Sequence, residues 1–332
     1  MPANVKSMVY YGEKPWHGLG KKVDHAMTSA EAIKEAGLDW EVITSPIFDK
    51  TQDGYREVQT HKAVIRQDTN TVLGIVGKDR YTPVQNREAF SFFDAVVGEK
   101  AAMYHTAGAL GNGERVWILA KLPGDIVVLK NDVVEKYLLL ANSHDGTLRL
   151  TMMFSPIRVV CQNTLNLALG DESETKVRLK HTPNIGLKTN KIQEALGIAN
   201  RKYTLFSELS KKLAVTQLTV QAWESYRNRV VGVDTGKEIP TRTQNTLLRL
   251  TELFESGKGT DIKGVKGTSW AGFNAFAEYV DFAKGRRGKE NQEENRANDL
   301  LFGQGALLKQ RAWDLAIDNK KELAAVSKVW PE

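Results

Sequence analysis

The feature that most constrains this chain is a change of hydrophobic period part-way along it. Before Cys161, apolar and polar residues alternate in short runs broken by Gly, Asn, Asp and Pro; after it, apolar residues recur at three- and four-residue steps. Successive strand residues face opposite ways, whereas a helix returns to one face every 3.6 residues. The first pattern builds half-buried antiparallel strands and the second builds amphipathic helices. Together they predict an α+β fold: antiparallel β-hairpins with a long helix in the N-terminal half, followed by a mainly helical C-terminal region. For 332 residues two domains are expected, a mixed α+β domain over 1–185 and a mainly helical region over 186–332, whose first helix could pack on the sheet.

Element by element, residues 28–37 read as a short helix capped by Thr28 or Ser29 and stopped by Gly37. Trp40–Phe48 reads as an edge-like strand broken by Pro46. Residues 58–66 and 72–76 form a hairpin about Asp68-Thr69-Asn70. A helix over 86–97 places Phe90, Phe93 and Val97 on one face. A second hairpin turns at Gly111-Asn112-Gly113. A third joins Tyr137–Ala141 to Leu148–Phe154, with one face of its return strand buried and the other carrying Arg149. Gln162–Leu169 reads as a short helix and Lys176–Lys180 as a strand. Helices then cover about 188–213, 219–231 (burying Val220, Trp223 and Val230), 242–256, 268–284 and 295–325. The glycine- and lysine-rich links 257–267 and 285–292 read as mobile loops.

Several chemistries are excluded or left unsupported by residue type and spacing. The single cysteine rules out an intramolecular disulfide and cysteine-rich zinc motifs. No apolar run reaches the roughly 18 residues of a membrane span, and the N-terminus lacks the basic leader and apolar core of a secretory signal. A cytoplasmic protein is therefore expected. The six histidines are scattered without metal-ligand spacing, so no metal or cofactor is expected. Gly18–Lys22 and Gly108–Gly113 match neither a phosphate loop nor a dinucleotide fingerprint. Asn142-Ser143-His144-Asp145-Gly146 reads as a tight turn between strands, and Cys161 as a buried structural residue. No catalytic residue is assigned, and a non-enzymatic protein is favoured.

Charge is more informative. Residues 1–175 carry 19 basic against 22 acidic residues, residues 176–249 carry 14 against 5, and residues 250–332 carry 13 against 13. The whole cationic excess, +9, thus sits in 74 residues. A concentrated basic segment attracts polyanions, nucleic acid above all. Lys176, Arg178 and Lys180 alternate onto one side of a strand. Lys188, Lys191, Arg201 and Lys202 follow on the long helix, and Arg149 and Arg158 could extend the stripe. These nine residues are the candidate phosphate contacts. Single-strand binders add aromatic platforms for bases, but Tyr203 and Phe206 fall on an apolar helical stripe and read as core.

Four motifs in combination carry a family resemblance: Lys14-Pro15-Trp16-His17-Gly18-Leu19-Gly20, Tyr81-Thr82-Pro83-Val84-Gln85-Asn86, Asn142–Gly146, and Arg158-Val159-Val160-Cys161-Gln162-Asn163-Thr164-Leu165. With Trp270–Tyr279, they make the chain resemble the phage/plasmid-like proteins, a domain family of unknown function found on phages, prophages and plasmids. The resemblance implies a mobile-element protein in a bacterial cytoplasm and carries no reaction with it. In outline, hairpins followed by a basic helix also look similar to phage single-strand annealing proteins, a fold-level analogy. The expectation is a DNA-binding protein of a phage or plasmid, with single-stranded DNA as partner, acting by annealing as a homo-oligomer without membrane or cofactor. The alternatives are a protein-interaction module, such as an inhibitor of a host defence complex, and an enzyme with a site assembled from His17, His144, Asp145 and Cys161.

Overall fold

The computed structural model describes residues 5–11, 20–97, 103–158, 160, 163–164, 176–179, 189–234, 236–284, 299 and 303–326. Among these the strands form three sheets. The largest has seven strands: β1 (Val5–Tyr11), β2 (Lys21–Val23), β6 (Met103–Leu110), β7 (Arg115–Lys121), β10 (Tyr137–Ser143), β11 (Leu150–Phe154) and β14 (Lys176–Leu179). Their spatial order is β14-β11-β10-β7-β6-β1-β2, antiparallel except for β1 beside β2. A three-stranded antiparallel sheet holds β3 (Val42–Thr51), β4 (Gly54–Arg66) and β5 (Thr71–Gly77) in that order. A four-stranded sheet has the order β13-β12-β9-β8, from β8 (Ile126–Leu129), β9 (Asp132–Glu135), β12 (Ile157–Arg158) and β13 (Asn163–Thr164).

The first helix shows how local sequence sets structure. In α1 (Ser29–Glu35) the Thr28 hydroxyl accepts from Glu31 N, and the Glu31 carboxylate accepts from Thr28 N at 2.8 Å. This reciprocal cap satisfies two amides that the helix itself leaves unpaired. At the other end Gly37 takes φ +63, and Leu38 N reaches Ile33 O at 2.8 Å. A left-handed residue there costs glycine little. α2 (Asn86–Val97) buries Phe90 and Phe93 against the seven-stranded sheet. Between that sheet, the three-stranded sheet and these two helices lies one core, including Val9, Leu38, Val64, Ile118, Leu140 and Met152. A smaller cluster of Met8, Tyr10, Leu110, Trp117, Leu139 and Met153 forms a second core on the seven-stranded sheet. Both faces of β11 are therefore buried, Thr151 and Met153 included. This corrects the expectation of one buried and one arginine-bearing face: Arg149 is exposed just before the strand begins.

The helical region comprises α3 (Thr189–Val215), α4 (Val220–Val231), α5 (Thr241–Ser256), α6 (Ser269–Glu278), a π-helical turn over Tyr279–Ala283, and α7 (Gln304–Val326). Its core is aromatic. Phe206 stacks on Trp313 at 5.2 Å, and Trp223 stacks on Phe254 at 4.2 Å. The same core includes Ile126, Val128, Val134 and Phe154 from the strands. The Tyr203 ring lies 4.5 Å from that of Phe154, and its hydroxyl bonds to Tyr137 O, so α3 packs directly on the sheets. In α4 the buried residues are Trp223, Tyr226 and Val230, while Val220 in the first turn is exposed, contrary to expectation. Asn163 and Thr164 are strand rather than helix, and the rest of 162–169 lies outside the described residues. The link 257–267 is not free either. Val265 is wholly buried, and Glu278 accepts from Lys258 N at 2.9 Å.

Candidate nucleic-acid interface

The register of the outer sheet positions the predicted cations. β14 is the edge strand, with Lys176 opposite Met153 and Arg178 opposite Thr151 on β11. Arg149 leads into that same β11 and is exposed. Arg158 lies in β12, opposite Val134 and Asn163. On α3, Arg201 is exposed, whereas Lys202 is 8% exposed and belongs to the interior. Lys202 is therefore corrected from phosphate contact to buried residue. It stands four, seven and eleven residues before Phe206, Leu209 and Leu213, a helical spacing that puts it on the buried stripe. Lys191 lies within the first turns of α3. Lys180 and Lys188 lie outside the described residues, as do the side chains of Arg158, Lys176, Arg178 and Lys191. The structure thus brings Arg149, Lys176 and Arg178 to two neighbouring strands at one border of the sheet.

Tyr203 and Phe206 are 4% and 0% exposed, as their spacing predicts, and provide no platform for bases. Among the described residues the exposed aromatic side chains are Phe48 and Tyr55, both on the β3–β4 hairpin. The alternation pattern marks the two strands separately and not this hairpin. Its signal is Asp53-Gly54, a turn-forming pair between two strands; Gly54 takes φ +133.

Two of the motif segments, 58 residues apart, converge in the interior. His144 is wholly buried, and its Nε2 lies 3.0 Å from Asn86 Oδ1. Because the Asn86 amide nitrogen donates to Leu38 O at 2.9 Å, its oxygen is the acceptor and His144 Nε2 the donor. The imidazole meets Trp40 edge-on at 5.3 Å, and the Arg66 guanidinium lies 4.5 Å from the centre of a Trp40 ring. Arg66 in turn bonds to Asp68 at 2.7 and 2.9 Å and to Asn112 O at 2.9 Å. The Tyr81 hydroxyl donates to Ser143 O at 3.0 Å, and burial pushes its pKa far up. Asn142 donates to Val84 O at 3.3 Å, and the Gln85 amide both donates to and accepts from Val42 at 2.8 and 2.9 Å. A Cβ on Gly74 would come 2.5 Å from Asp145 Cα, so only glycine lets β5 lie this close to the motif loop.

This arrangement is a clasp between sheets. The Ser143 hydroxyl accepts from Leu148 N and donates to Leu148 O, while Asp145 accepts from Thr147 N and its hydroxyl and lies 4.0 Å from Arg115 Nε. Gly146 takes φ +77, in keeping with the turn between β10 and β11. His17 and Cys161 lie outside the described residues. Among the described residues no group of three or more His, Cys, Asp or Glu could hold a metal ion.

Two further ionic features lie away from the clasp. Lys309 and Asp281 form a fully buried ion pair at 3.0 Å, with Asp281 in the π-helical turn. A cleft of about 650 Å³ lined by residues of α4, α7 and the segment after α4 carries both signs, Arg229 and Arg311 with Asp234 and Asp314. It is therefore a poor uniform anion site.

The chain belongs to the family described as a domain of unknown function, DUF932, whose model matches residues 72–301. The match takes in Tyr81–Asn86, Asn142–Gly146, the cationic border and helices α2 to α6; the Lys14–Gly20 motif, the whole β3–β4 hairpin and the clasp's Trp40 and Arg66 precede it. No curated protein and no solved structure matches the chain. No described helix is long and apolar enough to cross a membrane.

Proposed function

We propose that this chain is a DNA-binding protein of a phage or plasmid that binds single strands and promotes their annealing in recombination or replication. The observation that carries the reading is the concentration of charge, +9 within residues 176–249, which begins on the edge strand of the large sheet. Lys176 and Arg178 lie on that edge beside exposed Arg149, and Arg201 is exposed on α3. Lys180, Lys188, Lys191 and Arg158 complete the proposed phosphate contacts. Binding of this kind needs complementary charge and an open strand, with no cofactor or covalent step. The proposed setting is a bacterial cytoplasm, with the protein as a homo-oligomer along the strand.

The test is binding of single- and double-stranded oligonucleotides over a range of salt concentrations. If six phosphates are neutralised on single-stranded DNA, log affinity falls against log salt with a slope of about −4. Charge reversal at Arg149 or Arg201 weakens binding and makes that slope shallower. Failure to bind oligonucleotides, or affinity indifferent to salt, defeats the reading.

A protein-interaction role is the second reading. It is favoured by Ile43, Val72 and Ile75, apolar residues 42%, 55% and 60% exposed on the three-stranded sheet. A contact to a host protein that survives nuclease treatment and is lost on Ile75→Lys would support it.

A further inference from the structure

The proposed phosphate contacts leave single-strand binding without a surface for bases, and the β3–β4 hairpin has the chemistry of one. Beyond the reach of β5, which pairs with β4 only from His61 onward, this hairpin continues as a two-stranded arm. Its register sets Phe48 opposite Glu57 and Lys50 opposite Tyr55. Directly opposed residues of an antiparallel pair share a face, and the face repeats every second residue. Phe48, Lys50, Tyr55 and Glu57 therefore share one face of the arm. Phe48 and Tyr55 are diagonal neighbours, a spacing of roughly 7–8 Å.

Both rings face water, Phe48 at 57% and Tyr55 at 77% exposure. Glu57 is neutralised by Lys78, whose Nζ lies 2.8 Å from Oε1 and holds that carboxyl below its usual range. On the opposite face, Asp49 pairs with Arg56 at 3.2 Å. Among the described residues no ion pair joins Lys50, which stands on the ring-bearing face between two aromatic side chains. Protein contacts are centred on continuous apolar surface with charge depleted. Rings interleaved with an ammonium group instead suit bases joined by phosphates.

We infer that the β3–β4 arm is a base-stacking platform for single-stranded nucleic acid, with Phe48 and Tyr55 receiving successive bases and Lys50 the phosphate between them. This rests on the proposed DNA-binding function and adds to it a second contact surface, outside the basic segment. It also assigns a place to bases, which the cationic border alone does not provide.

The experiment measures fluorescence anisotropy of a labelled 20-nucleotide oligothymidine with the full-length protein and with Phe48→Ala, Tyr55→Ala and Tyr55→Trp. Each alanine is expected to weaken binding by about tenfold or more, as loss of base stacking does. Tyr55→Trp is expected to retain the affinity, and the alanine variants to keep the salt slope, because phosphate neutralisation is unchanged. Thermal midpoints serve as the folding control, which the exposure of both rings predicts will not move. If the parent protein binds and the alanine variants bind equally well, the platform is overturned while the DNA-binding function stands. An equal loss of affinity for a 20-base-pair duplex, whose bases are already stacked, overturns it as well. If the parent protein binds no oligonucleotide, the function itself fails and takes the platform with it.

Discussion

In the hairpin region, the space between the three-stranded and seven-stranded sheets holds Asn86, Asn142, Ser143 and His144, all at most 1% exposed. In the helical region the corresponding space holds Phe206, Trp223, Trp270, Phe273, Phe276 and Trp313. Both interiors are apolar, but the first adds a cluster of directional bonds whereas the second relies chiefly on aromatic shape and area. A hydrogen bond in a dry interior is intolerant of displacement, because a polar group left unpaired there is costly. The polar clasp therefore sets one docking of the hairpin sheet on the large sheet. Aromatic packing buries more apolar area per residue. Yet the helical region has polar anchors too. Trp270 Nε1 donates to buried Asp132 at 2.8 Å, and Lys309 pairs with Asp281.

That contrast can be broken most sharply at Lys309. Lys309→Met leaves Asp281 with its carboxylate in a wholly buried place, and is expected to cost about 3–5 kcal/mol in urea unfolding. The double variant Lys309→Met/Asp281→Leu should recover most of that loss, since apolar replacement of a buried pair is often neutral. If it does, charge is dispensable in this core and shape dominates. A smaller effect is expected in the clasp. Asn86→Ala removes the partners of His144 Nε2 and Leu38 O, costing about 1–3 kcal/mol in the same measurement. Asn86→Leu should not restore stability, because His144 Nε2 and Leu38 O still lose their bonds to the Asn86 amide.

The smallest effect concerns the border between the two regions, at His105. Its ring meets Tyr137 edge-on at 5.3 Å, and burial lowers its pKa more than nearby Glu135 raises it. In the unfolded chain the same histidine titrates near its ordinary value of about 6.5. Between the two values the unfolded state binds the extra proton, so stability falls as pH drops through about 6.5 and levels off below the folded-state value. Thermal midpoints measured from pH 8 to 5 should show this decline, and His105→Phe should flatten it. An unchanged profile in the variant would assign the pH dependence to other groups.

Legibility in sequence followed the range of the interactions concerned. The ends of α1 are legible because a Thr28 or Ser29 cap and the Gly37 stop act within ten residues; the structure selects Thr28 and adds Glu31 as its reciprocal partner. The long helix was readable because Tyr203, Phe206 and Leu213 repeat with helical spacing, and all three are buried. By residue type Lys202 reads as a surface cation, although its spacing to Phe206 and Leu209 places it on that buried stripe. Residue type outweighed position there. The β8–β9 hairpin is not legible because its turn offers only Asn131, at φ +71, with no glycine or proline to mark it. Alternation in Leu148–Ser155 points to one buried face, because a single strand cannot reveal that cores lie on both sides of its sheet. Of the candidate interface, the charge excess was visible in the sequence. That Arg149 should neighbour Lys176 and Arg178, and that Phe48 and Tyr55 should share a face, depended on strand pairing.

Fold class, most helices, several hairpins and the uneven distribution of charge follow from the order of amino acids alone, because periodicity, capping and turn preference act between near neighbours. Which strands lie side by side, what the motif at Asn142–Gly146 is for, and which cations stay in water were settled by folding. They depend on pairs such as Asn86 with His144 and Asp132 with Trp270, 58 and 138 residues apart. Such pairs form only where the whole packing satisfies both partners at once, and no local window of the chain contains that condition.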